Sequence, residues 1–138
     1  KNMKRTAKAH WQGKLQDGNG SLDTQSGVMN RQKYSYKTRF ENEQGTNPEE
    51  LLAAAEAGCF TMAVSMELGE QGYDPNSLDT EATLTMEDLA IKGIHLDISG
   101  KVPGISESDF RNIAENAAKH CVVSRALDVE ITSNSRLV

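Results

Sequence analysis

The sequence of 138 residues predicts an α+β fold with a mainly antiparallel sheet. Three observations carry this. Short segments alternate polar and apolar residues at the two-residue period of strands, and two longer stretches follow the helical period behind a capping residue. They come in the order hairpin and strand, helix, two strands, helix, strand.

From Lys8 to Phe40 the chain reads as strands broken by turns, with Asp17-Gly18-Asn19-Gly20 as the reversal of a hairpin. Gln32 to Phe40 alternates Tyr34, Tyr36, Thr38 and Phe40 with Lys33, Ser35, Lys37 and Arg39, which predicts a half-buried strand carrying Arg39 on its charged face. The period then changes. Asn47 is a helix cap, Pro48 suits the first helical position, and Glu50 stands three residues beyond the cap, with Glu49 also favoured at the positive helix end. The predicted helix runs to about Gly69 or Gly72, with Leu52, Ala55, Cys59, Met62 and Met66 along one face. Ala53, Ala54, Ala57, Gly58 and Ala63 are small, so this reads as a central, largely buried helix. Being apolar or small nearly all round, it calls for more cover than one short chain provides, which predicts packing against a second copy.

The turn at Asp74-Pro75-Asn76 leads to alternations at Glu81 to Glu87 and Ile94 to Ile98, two further strands. Ser106 then caps a second helix, with Ile105 and Phe110 placed as a hydrophobic staple and an apolar face of Phe110, Ile113, Ala114, Ala117 and Cys121. Val129 and Ile131, alternating with Glu130, Thr132 and Asn134, predict a closing strand.

Length predicts one domain over residues 1–138. A net charge of −5 with interspersed signs argues against nucleic acid as a partner. The residues after Lys1 to Arg5 are polar, and no run of 18 apolar residues occurs, so neither export nor a membrane is expected and the cytoplasm is the predicted location. Two cysteines without a CxxC pair exclude a disulfide-dense scaffold and a structural zinc site.

Those cysteines are the candidates for chemistry. Cys59 and Cys121 lie on the apolar faces of the two helices, so the sulfurs meet if the helices pack together; the plainer alternative is that both are inert core residues. A reactive thiol needs a nearby positive charge, and Arg39, just before the connection into the Cys59 helix, is a candidate source, with a solvated surface arginine as the alternative. Glu49 is a second candidate, or simply a charge complementing the helix dipole. Continuous helix separates Glu49 from Cys59 by about 15 Å along the axis. His10, His95 and His120 form no cluster with metal-ligand spacing, so no metal is expected.

Gly45-Thr46-Asn47-Pro48-Glu49-Glu50-Leu51-Leu52 running into Gly58-Cys59-Phe60, with Cys121-Val122-Val123-Ser124-Arg125-Ala126-Leu127 downstream, resembles the OsmC/Ohr family of thiol-dependent peroxidases, and its OsmC branch in particular. Ala9-His10-Trp11-Gln12-Gly13, Ser26-Gly27-Val28, Thr38-Arg39-Phe40-Glu41 and Val102-Pro103-Gly104-Ile105 extend the likeness over nearly the whole chain. The resemblance implies an OsmC-like fold, antiparallel sheets wrapped around a central buried helix in an intertwined homodimer, and a hydroperoxide reductase with no cofactor. It implies Cys59 as the peroxidatic cysteine, Cys121 as the resolving cysteine, Arg39 as the activating arginine and Glu49 as the acid that orients it. A dithiol, by resemblance a lipoylated protein, would reset the Cys59–Cys121 disulfide. Two departures stand out: Val122 replaces the proline usual after the second cysteine, and the Glu87 to Gly93 hairpin is shorter than usual. Leu52, Phe60, Met62, Phe110 and Ile113 are expected to give the thiols an apolar setting that favours organic hydroperoxides. The rival reading is a non-enzymatic dimer that binds apolar ligands and keeps both cysteines inert.

Overall fold

The first reversal forms where the glycines and asparagine place it: β1 (Ala7–Gln12) pairs antiparallel with β2 (Asn19–Thr24), His10 opposite Ser21. A computed structural model describes residues 2–138, in two units, one up to Leu51 and the other Leu52–Val138. In the first unit β2 also pairs with β3 (Gln32–Tyr34), giving a three-stranded antiparallel sheet on which Trp11 and Tyr34 meet edge to face at 5.5 Å.

The expected strand from Gln32 to Phe40 stops at Tyr34. Ser35 caps a short helix, α1 (Tyr36–Phe40): its Oγ accepts from the Thr38 N–H while Thr38 Oγ1 accepts from the Ser35 N–H. Two short hydroxyl side chains three residues apart offer the backbone a reciprocal cap that a strand cannot match. Tyr36 and Phe40 then fall four residues apart and their rings meet at 4.8 Å with planes tilted by 50°, so the residues that looked like one face of a strand share one side of a helix. Arg39 is therefore helical.

The next helix, α2 (Pro48–Glu70), begins as predicted, with Asn47 Oδ1 accepting from the Glu50 N–H at 2.7 Å. It ends in a turn in which the Tyr73 N–H reaches Leu68 O and Gly72 takes a φ of +87°, a conformation glycine adopts freely.

In the second unit β4 (Ser77–Glu87) and β5 (Ala90–Lys101) form an antiparallel hairpin, closed by Asp88 and Leu89 at φ +50° and +62°. Helix α3 (Glu107–His120) follows, capped by Ser106 Oγ accepting from the Asp109 N–H, then a short α4 (Val122–Ala126) and β6 (Glu130–Leu137). β6 adds parallel to β5, because the helical crossover returns the chain to the end of the sheet from which β5 started.

Ile94, Leu96 and Ile98 of β5 face Phe60, Val64 and Leu68 of α2 and Phe110, Ile113, Ala114, Ala117 and Ala118 of α3 in one buried cluster. Gly100 continues that face, and a Cβ there would sit 2.7 Å from Phe110 Cζ, so the ring needs a glycine beneath it. The opposite sheet face is polar: His95 hydrogen-bonds Thr132 at 2.6 Å, and Arg136 pairs with Asp97 at 2.7 Å.

The buried stripe of α2 differs from the expected one. Glu56, Phe60, Val64 and Leu68 are buried, whereas Ala55, Met62 and Met66 are exposed. With 23 residues, most of them apolar or small, α2 has the length and composition of a membrane-spanning helix. Its stripe against the sheet and its hydrogen bond from Thr61 to Thr80, at 2.7 Å, make it the core helix of its unit.

Candidate active site

In the first unit the loop between α1 and α2 is fixed by side chains. Thr38 Oγ1 donates to Thr46 O at 2.8 Å, Asn47 Nδ2 donates to Thr38 O at 3.1 Å, and Thr46 Oγ1 donates to Glu50 Oε2 at 2.8 Å. These bonds bring the end of α1 against the first turn of α2. Arg39 consequently meets Glu49 in a two-pronged ion pair, Nε to Oε1 and Nη2 to Oε2, both at 2.8 Å. The Glu49 hydrogen bonds raise the guanidinium pKa above its ordinary value, against the lowering effect of burial. Arg39 also lies over the Phe40 ring, 5.1 Å from its centroid, and a cleft lined by Trp11, Tyr34, Tyr36, Phe40 and Pro48 opens beside it.

The second unit brings the cysteines together, both as free thiols. Cys59 is half-buried on α2; Cys121 is buried at the joint where α3 ends and α4 begins. The Val123 N–H points at Cys59 Sγ from 3.4 Å. Burial raises the Cys121 thiol from 9.0 to about 11; hydrogen bonds from Ser124 work against this, and Glu56 and the adjacent Cys59 add to it. Cys121 is therefore a protonated thiol at neutral pH.

Sequence reasoning missed two members of this cluster. Glu56 is fully buried, and its Oε1 accepts from Cys121 Sγ at 3.2 Å and from Ser124 Oγ at 2.6 Å. Ser124 Oγ is itself 3.0 Å from Cys121 Sγ. The available signal was the spacing: Glu56 lies four residues before Phe60, in line with Val64 and Leu68, and Ser124 lies three residues after Cys121.

Of the expected apolar lining, Phe60, Phe110 and Ile113 are core residues, Leu52 is half-buried, and Met62 is 75% exposed. Val122 occupies the first position of α4, where the fixed φ of a proline would also fit.

The family model described as OsmC-like protein matches residues 41–135, which include Glu49, Cys59 and Cys121. The chain belongs to the OsmC family. It is 47% identical to Peroxiredoxin OsmC of Escherichia coli strain K12 over 133 residues, covering 94% of this chain and 93% of that protein. It is also 30% identical over 93 residues to the organic hydroperoxide resistance protein-like 2 of Staphylococcus epidermidis, covering 62% of this chain and 66% of that one. An OsmC-like protein from Mycoplasma pneumoniae superposes with a TM-score of 0.76 at 15% identity, over 100% of this chain and 99% of the other, so the OsmC fold is shared.

Proposed function

We propose that this OsmC family member, a peroxiredoxin-type peroxidase, reduces organic hydroperoxides to alcohols with Cys59 as the peroxidatic and Cys121 as the resolving thiol. The pairing of a half-buried Cys59 with a buried, protonated Cys121 carries the reading, because peroxide can reach the first thiol while the second is held in reserve beside it. The names of the E. coli and S. epidermidis relatives support the same class.

The Cys59 thiolate attacks the distal oxygen of ROOH; the O–O bond breaks, RO⁻ leaves and takes a proton, and Cys59 becomes a sulfenic acid. The Val123 N–H, 3.4 Å from Cys59 Sγ, is the donor placed to stabilise the charge of the attacking sulfur. Arg39, aligned by Glu49, is assigned by the family resemblance to the thiolate and the departing alkoxide. Cys121 then displaces hydroxide from the sulfenic sulfur, giving the Cys59–Cys121 disulfide and water, and this protects Cys59 from further oxidation. An external dithiol, by the same resemblance a lipoyl group in the cytoplasm, exchanges with the disulfide and restores both thiols. Apolar surface at Leu52 and Met62, backed by Phe60, Phe110 and Ile113, is assigned to the R group.

Intact-mass analysis of the reduced protein after one equivalent of cumene hydroperoxide tests this. The expected product has lost two hydrogens, maps to Cys59–Cys121 within one chain, and is reversed by dihydrolipoamide. An unmodified protein would mean that the thiols are packing residues and that the fold serves a non-catalytic apolar-ligand dimer.

A further inference from the structure

A carboxyl group with no exposed surface, set among apolar residues, demands a reason, since burying it is costly unless it is partnered. Glu56 is half partnered. Its Oε1 accepts from Cys121 Sγ and Ser124 Oγ, while its Oε2, equally enclosed, has no hydrogen-bond partner among the described residues. Buried oxygens in folded proteins are rarely left this way, and the exceptions gather where a group must change protonation state.

We propose that Glu56 is the proton acceptor that activates Cys121 for disulfide formation, a role that rests on reading Cys121 as the resolving thiol. Hydroxide cannot leave the Cys59 sulfenic acid until Cys121 attacks, and Cys121 attacks as a thiolate. Its proton passes to the Glu56 carboxylate, directly across 3.2 Å or through Ser124 Oγ, which touches both groups. The Cys121–Cys59 S–S bond forms as the S–O bond breaks, and the departing hydroxide takes up the proton as water, returning Glu56 to its carboxylate. Atoms and charge balance without a further reagent. Ser124 Oγ donates to Glu56 and is left free to accept from the thiol, so it holds the two groups in register and offers the second path for the proton.

The alternatives nearby do not fit this role. His120 precedes Cys121, but its Nδ1 engages Asn116 O at 2.9 Å on the exposed side of α3. Glu67 of α2 is engaged by Asn116 Nδ2, and Arg125 of α4 is exposed. Among the described residues the titratable group hydrogen-bonded to Glu56 is Cys121 itself.

Glu56→Gln keeps the shape and an accepting oxygen but takes no proton. Reduced protein mixed with cumene hydroperoxide and quenched at intervals reports sulfenic acid, trapped with dimedone, separately from disulfide. In Glu56→Gln, sulfenic acid is expected at the wild-type rate, with disulfide formation slowed about 100-fold or more at pH 7, the usual share of a positioned base. The slow step should recover about tenfold per pH unit as Cys121 ionises unaided, whereas the wild-type step stays nearly flat from pH 7 to 9. A merely structural glutamate would shift the melting temperature without steepening that profile. Disulfide formation in Glu56→Gln within threefold of wild type at pH 7 overturns the proposal. Should the variant not fold, a wild-type resolution rate that itself climbs tenfold per pH unit overturns it equally. Wild-type protein that accumulates sulfenic acid and never forms the disulfide overturns the underlying reading of Cys121, a result distinct from either.

Discussion

Arg39 grips Glu49 with two parallel hydrogen bonds of 2.8 Å, so the guanidinium plane is fixed by both its Nε and its Nη2 edges. The geometry depends on the planar fork of arginine. Lysine at this position would keep the charge and lose the orientation.

If this pair supplies the positive charge for the peroxide step, Arg39→Lys lowers the second-order rate of Cys59 oxidation by about 10- to 100-fold, the equivalent of losing one charge-assisted hydrogen bond of roughly 1.5–3 kcal/mol. Glu49→Gln, which leaves the arginine in place but less firmly held, should fall between wild type and Arg39→Lys. Stopped-flow mixing with cumene hydroperoxide measures both. An Arg39→Lys rate within twofold of wild type removes the pair from the chemistry and leaves it as a clamp between α1 and α2.

Cys121 makes a prediction about stability. Its thiol is pushed from 9.0 up to about 11, first by burial. For an acid raised in this way the folded state holds a proton that the unfolded chain has released, so folding is favoured fully below pH 9 and the advantage is lost as pH climbs toward 11. The urea midpoint of the reduced protein should therefore drop more steeply over that interval than the midpoint of Cys121→Ala. Parallel slopes for the two proteins would show that burial is not what keeps the thiol protonated.

How far the sequence announced these features depended on how strongly each segment favoured one face. In α3, charged and polar residues separate Phe110, the Ile113–Ala114 pair and Ala117, and the predicted face is the buried one. In α2 nearly every position is apolar or small, so the 3.6-residue period selected no unique side, and the row through Met62 and Met66 looked as good as the row through Phe60 and Val64. Glu56 was hidden by the same ambiguity, since a carboxylate is ordinarily read as marking a helix's outer face. The five-residue α1 is too short for any period, and its cap, Ser35 with Thr38, lay inside a convincing alternation of aromatic and basic residues. Cys121 was legible because it ends the well-marked face of α3, and Cys59 only as a residue of α2 whose facing the period left open; the parallel direction of β6 was not legible, alternation being the same either way along a strand.

The side of α2 turned away from the sheet leads to a prediction about assembly. Met62 is 75% and Met66 62% exposed, and Ala55 and Gly58 are exposed beside them, an apolar helix face open to water. Such a face is ordinarily covered, and in a two-fold dimer the same helix from a second copy is the simplest cover, each residue then contributing twice. The expected state is a homodimer at micromolar concentration by sedimentation velocity. Met66→Glu buries two charges across the axis and should weaken association by at least about 100-fold, roughly 3 kcal/mol, while leaving the secondary structure of each chain intact. A wild-type protein that sediments as a monomer would mean that the exposed methionines face something other than a second copy; a Met66→Glu dimer of undiminished strength would place the contact on another face.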